Sequence, residues 1–295
     1  MRTADSILRT AHRKDRVNTL QAIVLGLVQG ATEFAPVSSS GHLILVPWIL
    51  GWTLIGDADV QKSFDVALHV GTLVGALIYF RHEVARYAAA GVRSILARRI
   101  VTADERIAWA LVLGTIPGAI VGATFEDVIQ ERLGAPWLIA VMLVAFGIVL
   151  VAVDRRARSD RPYDSIRPRD GLLLGTAQAL ALQPGVSRSG VTMTAARAIG
   201  LDRESAARFS FLLSLPIIAG AGVYKAVDLA GTGFEGHAGE FVAGLVASAI
   251  SGFVVIWWLL GYLRRRSLAV FMWYRVAVAA LVFVVIATGF RSATI

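Results

Sequence analysis

The sequence predicts an all-α polytopic membrane protein with about six transmembrane helices and two re-entrant helical hairpins, arranged as an inverted-topology internal repeat. Three observations lead to that fold class. First, the 295 residues are 56% hydrophobic, the mean hydropathy is +0.65, and apolar runs recur along the chain between short charged stretches. Second, two apolar segments, 17–52 and 171–200, are each broken at the centre by Pro, Gly and Ser. Third, those two segments align with each other without a gap.

The elements follow in order. Residues 1–16 form a basic N-terminal segment with Arg2, Arg9, Arg13, Lys14 and Arg16, and no signal-peptide pattern. Residues 17–295 read as one integral membrane domain. Full spans are expected near 62–80, 107–124, 135–153, 208–224, 241–262 and 271–290. The basic stretches 81–106, 154–170 and 263–270 are expected as inside loops. Those at 125–134 (Glu126, Asp127, Glu131) and 225–240 (Asp228, Glu235, Glu240) are acidic and expected outside. This alternation places the N-terminus outside, against the basic character of 1–16. The chain has no cysteine, which excludes disulfides and thiolate metal sites. Its net charge of +8 is concentrated in the proposed inside loops, so it reads as topology and not as nucleic-acid binding. Tryptophans such as Trp48, Trp52, Trp257 and Trp258 suit interfacial anchors.

The repeat pairs "GLVQGATEFAPVSSSG" (26–41) with "GTAQALALQPGVSRSG" (175–190). Repeat one covers about 17–80 and repeat two about 171–224. Three spans separate the two starts, and an odd number inverts the second copy, as in transporters whose sites lie between broken helices at the midplane. Irregular backbone at membrane depth is tolerated only inside protein or against a wet cavity.

The breaks carry the chemistry. Pro36 ends a helix through Glu33, the serines then supply N-caps, and His42 falls in the first turn of a new helix. Gln29 and Glu33 share a helix face. In the second break Pro184-Gly185 ends a helix, Ser187 and Ser189 can cap the next, and Arg188 projects from the turn. A new helix N-terminus is an anion site, and a guanidinium fork suits phosphate oxygens. Two such N-termini and Arg188 fit a phosphate or, better, a diphosphate. Intramembrane ionisable groups are costly and point to function. Asp65 and His69 share a face of the 62–80 span and can face the same cavity. Arg197 and "DRESAAR" (202–208) read as caps at the cytoplasmic surface.

"GLVQGATEFAPVSSSGHLIL" and "LALQPGVSRSGVTMTAARAIGLDRESAARFSFLLSLP" resemble the two signature regions of the bacterial undecaprenyl-diphosphate phosphatase family, the bacitracin-resistance proteins, over roughly 17–290. The resemblance implies a hydrolase of the bacterial plasma (inner) membrane. Such an enzyme removes the terminal phosphate of undecaprenyl diphosphate and recycles the lipid carrier of cell-wall synthesis. It also implies a divalent cation, Mg²⁺ or Ca²⁺. The family's acidic pattern appears here as Gln29 to Glu33, and the Gln departs from a strict two-carboxylate metal site. Glu33, Ser38, Ser39, His42 and Arg188 are the expected catalytic residues. Glu33 is also the expected metal ligand, and Gln29, Ser187, Ser189 and Gly190 are expected to bind substrate. Ser39 is the preferred nucleophile, Ser38 the second, and direct attack by water the alternative. His42 is expected to take the serine proton or protonate the leaving phosphate. Expected partners are a prenyl diphosphate lipid and the bilayer, with no nucleic acid, and a homodimer stays open. A transporter or flippase of the prenyl-phosphate carrier is the competing reading, because inverted repeats are transporter geometry.

Overall fold

The computed structural model describes residues 18–52, 58–232 and 236–294, without the side chains of 58–59, 126–132 and 225–232. The basic segment 1–16 and the side chains of Glu126, Asp127, Glu131, Asp228 and Glu235 therefore lie outside the described residues. Those residues form eleven α-helices, two short 3-10 turns and one isolated β-bridge, Arg161–Leu201. The first half of the chain holds α1 (Thr19–Phe34), α2 (Ser39–Leu50), α3 (Ala58–Tyr79), α4 (Arg81–Ala97), α5 (Ala103–Arg132) and α6 (Pro136–Arg156). The second half holds α7 (Pro168–Ala179), α8 (Arg188–Ala198), α9 (Arg203–Thr232), α10 (Ala238–Leu263) and α11 (Ala269–Ala287).

Helices α5, α6, α9, α10 and α11 are each long and apolar enough to cross a membrane. The protein is a multi-pass membrane protein. The sixth expected span, 62–80, falls on α3 and ends at the break at Phe80; α3 meets the length and hydropathy requirement only together with α4. The α3–α4 pair is bent by 84° at Phe80. The expected loop at 81–106 is thus corrected: 81–97 is a helix. Its charges obscure the pattern, but Tyr87, Ala90 and Ser94 are buried along one face while Val92, Ile95 and Leu96 are exposed. Basic and apolar exposed positions side by side suit a helix lying along the membrane surface.

The basic segments meet at one end of the molecule. Arg208 of α9 pairs with Glu83 of α4 at 2.7 Å, and Arg264 at the end of α10 pairs with Glu204 of α9 at 3.0 Å. Arg106 of α5 donates to the Asp164 carbonyl at 3.2 Å. Arg197 is fully buried rather than at the surface. It donates to the Asp154 carboxylate at 2.9 Å and to the carbonyls of Asp154, Ala157 and Leu201. It therefore caps the C-terminal end of α6 from inside the protein, not from the cytoplasmic surface.

The two halves interlock by exchanging helices. α1 packs on α10 and α7 packs on α5, so the first helix of each half lies against a late helix of the other. The contacts match in kind. A Cβ on Gly26 of α1 would collide with the Gly244 carbonyl of α10, and one on the aligned Gly175 of α7 would collide with the Gly114 carbonyl of α5. Small residues let helix backbones approach closely where apolar burial gives no drive for association. The symmetric exchange also holds both broken segments at the centre.

Candidate active site

Each break is shaped by its local sequence. Asn18 and Gln21 form a capping box that starts α1. Pro36 holds Ala35 in the extended region, φ −65° and ψ 139°, and α1 stops at Phe34. Ser38 then takes φ 75° and ψ 93°, and its side chain caps α2 through the Gly41 N–H at 3.3 Å. The second break repeats this: Ser187 takes φ 77° and ψ 114° and caps α8 through the Gly190 N–H at 3.1 Å. A non-glycine residue in such a conformation costs roughly 1–3 kcal/mol. At Ser38 two hydrogen bonds to Oγ, each about 1 kcal/mol, offset it. The second bond crosses between breaks: the Gly185 N–H donates to Ser38 Oγ at 2.9 Å. Gly185 itself has φ +96°, and a Cβ there would lie 2.6 Å from the Ile139 carbonyl oxygen.

Glu33 is the hub of the site, its side chain 1% exposed. Arg188 donates to its Oε1. Ser39 Oγ donates to Oε2 at 2.6 Å, and Gln29 Nε2 donates to the same oxygen at 2.9 Å. His69 Nε2 stands 3.6 Å from Oε2. Gln29 thereby turns its own Oε1 into a buried position with no partner. The structure thus gathers Gln29, Glu33, Ser39 and Arg188 with His69, which the sequence had placed on a cavity-facing side of its span.

The other expected residues serve the frame. Ser38 is 1% exposed, and its Oγ already accepts from Gly41 and Gly185. Ser187 and Ser189 hydroxyls lie 3.2 Å apart, and Ser189 donates to the Ala35 carbonyl across the breaks at 3.0 Å. Gly190 supplies the capped N–H of α8. His42 does not turn to Ser39. Its Nδ1 pairs with the Ser38 carbonyl at 2.7 Å, and its Nε2 with the Tyr274 hydroxyl at 2.9 Å. The carbonyl requires Nδ1 to carry the proton, so Nε2 accepts from Tyr274.

Two residues escaped the sequence reading. Tyr274 stacks on His42 with ring centroids 5.6 Å apart. Its neighbour Arg275 is fully buried. Arg275 Nε donates to the Pro36 carbonyl at 2.6 Å, while Nη1 and Nη2 donate to the Val186 carbonyl at 3.3 Å. One guanidinium therefore ties the two breaks together. A charged residue inside the apolar run "FMWYRVAVAA" is the signal that could have flagged it.

The expected cation does not fit as a resident ion. Among the described residues no three His, Cys, Asp or Glu side chains converge. Both oxygens of Glu33 already face donors. Hard divalent cations need several oxygen ligands at short range, and one donor-saturated carboxylate with the unpartnered Gln29 Oε1 beside it does not supply them.

Helix N-termini remain open at the site. Gly41 and Gly190 N–H groups are capped, which leaves those of Ser39 and Ser40 on α2, and Arg188 and Ser189 on α8, without intrahelical acceptors. They offer donors to an anion.

Comparison with known proteins places the chain in a family. Residues 22–281 match the family model described as bacitracin resistance protein BacA. The chain is 46% identical over 273 residues to an undecaprenyl-diphosphatase of Pelotomaculum thermopropionicum, covering 92% of this chain and 98% of that one. It is 45% identical over 269 residues to one of Desulforudis audaxviator, covering 91% and 98%. It is 45% identical over 261 residues to one of Geobacter sulfurreducens, covering 88% and 95%. With its two broken segments and the match spanning nearly all of its helices, the chain belongs to the bacitracin resistance protein BacA family.

Proposed function

We propose that this protein removes the terminal phosphate of undecaprenyl diphosphate, with Ser39, Glu33 and Arg188 carrying the chemical step. It is an undecaprenyl-diphosphatase, a membrane hydrolase that returns the lipid carrier to cell-wall synthesis and confers bacitracin resistance. Its membrane is the plasma (inner) membrane of a bacterium, and the prenyl chain of its substrate lies in the bilayer. The observation that carries the mechanism is the meeting of Ser39 and Arg188, one from each break, on a single buried carboxylate.

Arg188 and the N–H groups that open α2 and α8 hold the diphosphate. Ser39 Oγ attacks the terminal phosphorus, and its proton passes to Glu33 Oε2, 2.6 Å away. The bridging P–O bond breaks and its electron pair leaves with undecaprenyl phosphate. A phosphate monoester, with a second pKa of about 6, leaves without a general acid. Charge on the transferring group is met by fixed donors. Water then displaces the phosphate, and the Ser39 oxygen takes its proton back from Glu33, which returns to carboxylate.

This assigns the proton-taking role to Glu33 and not to His42. His42 instead fixes the first turn of α2 between Ser38 and Tyr274. Gln29 orients Glu33, and Ser187, Ser189 and Gly190 shape the second break. A divalent cation would arrive with the diphosphate oxygens and supply charge neutralisation there. The relatives' names denote a phosphatase and give no support to the lipid-transporter reading, which is set aside.

The test is phosphate release from a prenyl diphosphate by purified protein in detergent. Release that Ser39→Ala abolishes is expected. Lipid movement across vesicles with no phosphate release would return the transporter reading.

A further inference from the structure

His69 belongs to neither break, yet its Nε2 lies beside Glu33. Residues Gln61, Asp65 and His69 lie along one face of α3. Gln61 Nε2 donates to the Asp65 carboxylate at 2.9 Å. The Asp65 backbone carbonyl accepts from His69 Nδ1 at 2.8 Å. That bond sets the tautomer: with the proton on Nδ1, the lone pair of Nε2 points outward. Nε2 stands 3.6 Å from Glu33 Oε2, the same oxygen that receives the Ser39 hydroxyl. The His69 side chain is 28% exposed, whereas Glu33 is 1% exposed. Gln29, the other neighbour of Oε2, bears an amide and cannot take a proton.

We propose that His69 is the proton store of the reaction, taking from Glu33 the proton that Glu33 takes from Ser39. The inference rests on the reading of Ser39 as nucleophile and Glu33 as its base. As the Ser39–phosphorus bond forms, the hydroxyl proton moves to Glu33 Oε2 and on to His69 Nε2. The bridging P–O bond breaks with its electron pair on the departing lipid phosphate. Glu33 is again a carboxylate, and His69 is an imidazolium held between it and the Asp65 carbonyl. When water later displaces the phosphate, the Ser39 oxygen takes the proton back along the same path. The store solves a specific problem. A buried Glu33 that kept the proton would lose its charge, and with it its ion pair to Arg188, at the moment Arg188 must hold the developing phosphate. Separations of this size commonly tighten once substrate is bound. His69 acts through Glu33, so it is a positioning and proton-holding residue and not one that touches the substrate.

The experiment compares His69→Gln, Gln29→Glu/His69→Gln and Ser39→Ala in one detergent assay. His69→Gln keeps polarity and size but binds no proton. It should lower kcat by about tenfold or more with KM within about twofold. Gln29→Glu places a second carboxylate where the Gln29 amide now sits 2.9 Å from Glu33 Oε2. It should restore the double variant to within about threefold of the parent, which repair of a packing defect would not do. If Ser39→Ala is inactive and His69→Gln turns over like the parent, the proton store is overturned and the Ser39 reading stands. If His69→Gln is slow and Gln29→Glu restores nothing, His69 is structural and the proposal fails. If Ser39→Ala stays active, the Ser39 reading fails and the proton store with it.

Discussion

Ser39 and Arg188 occupy aligned positions of the two halves, each is the first residue of the helix that follows its break, and each donates to Glu33. The backbone is symmetric and the chemistry is not. One half gives the hydroxyl and the carboxylate. The other gives the guanidinium, and Leu182 stands where a second glutamate would align. A repeat thereby builds a site with one hydroxyl, one carboxylate and one guanidinium.

Arg188→Lys keeps the charge but loses the fork that lets one side chain serve Glu33 and a phosphate oxygen together. It should lower kcat/KM by about 10²-fold or more with thermal stability close to the parent's. Steady-state phosphate release and a melting curve in the same detergent check both. Turnover near the parent's would show that a point charge is enough.

Ser38→Ala and Ser39→Ala should separate by kind. Ser38 Oγ takes two backbone N–H groups, one from each break, so its loss should cost about 1–3 kcal/mol of stability. Ser39→Ala should leave the fold intact and abolish turnover. Adding Glu33→Gln to Ser39→Ala should cost almost nothing more, because the two act as one unit. A fully stable but inactive Ser38→Ala with an active Ser39→Ala would exchange their roles.

Much of this site is legible in the sequence because it is local. Pro36, the serine run and "PGVSRSG" announce the breaks, and the gapless repeat announces that they meet. What the sequence misled on is direction. Ser39 and His42 lie one turn apart, which suggests a nucleophile and its base. In the fold His42 turns back to the Ser38 carbonyl and across to Tyr274, while Glu33 swings to Ser39 from the preceding helix. Such choices depend on partners far along the chain. The 81–97 helix was hidden for another reason: its arginines read as a loop, although its buried positions follow a helical period.

Arg275→Leu removes the donor that holds the Pro36 and Val186 carbonyls, leaving both buried groups unpaired. Each should cost about 1–3 kcal/mol, and the melting temperature should fall along with turnover. Arg275→Lys can reach one break but not fork to both, and should recover stability more than activity. A parent-like melting temperature for Arg275→Leu would mean that the breaks hold together without the clamp.

The inverted arrangement predicts access. With three crossings, α3, α5 and α6, between the hairpins, a cysteine at Gly56 should react with an impermeant thiol reagent from outside. One at Arg158, exposed in the loop before α7, should react only after the membrane is opened. The chain has no cysteine to give background. Labelling of both from one side would contradict an odd number of crossings.

Ser39 is expected to carry the phosphoryl group between the two steps. Rapid-quench single turnover with substrate labelled in the terminal phosphate tests it most directly. Label should bind transiently to the peptide containing Ser39, form as fast as undecaprenyl phosphate appears, accumulate when water attack is slowed, and be absent from Ser39→Ala. A stoichiometric burst of free labelled phosphate with no protein-bound label at any time, or label on Ser38 or His42, would contradict it.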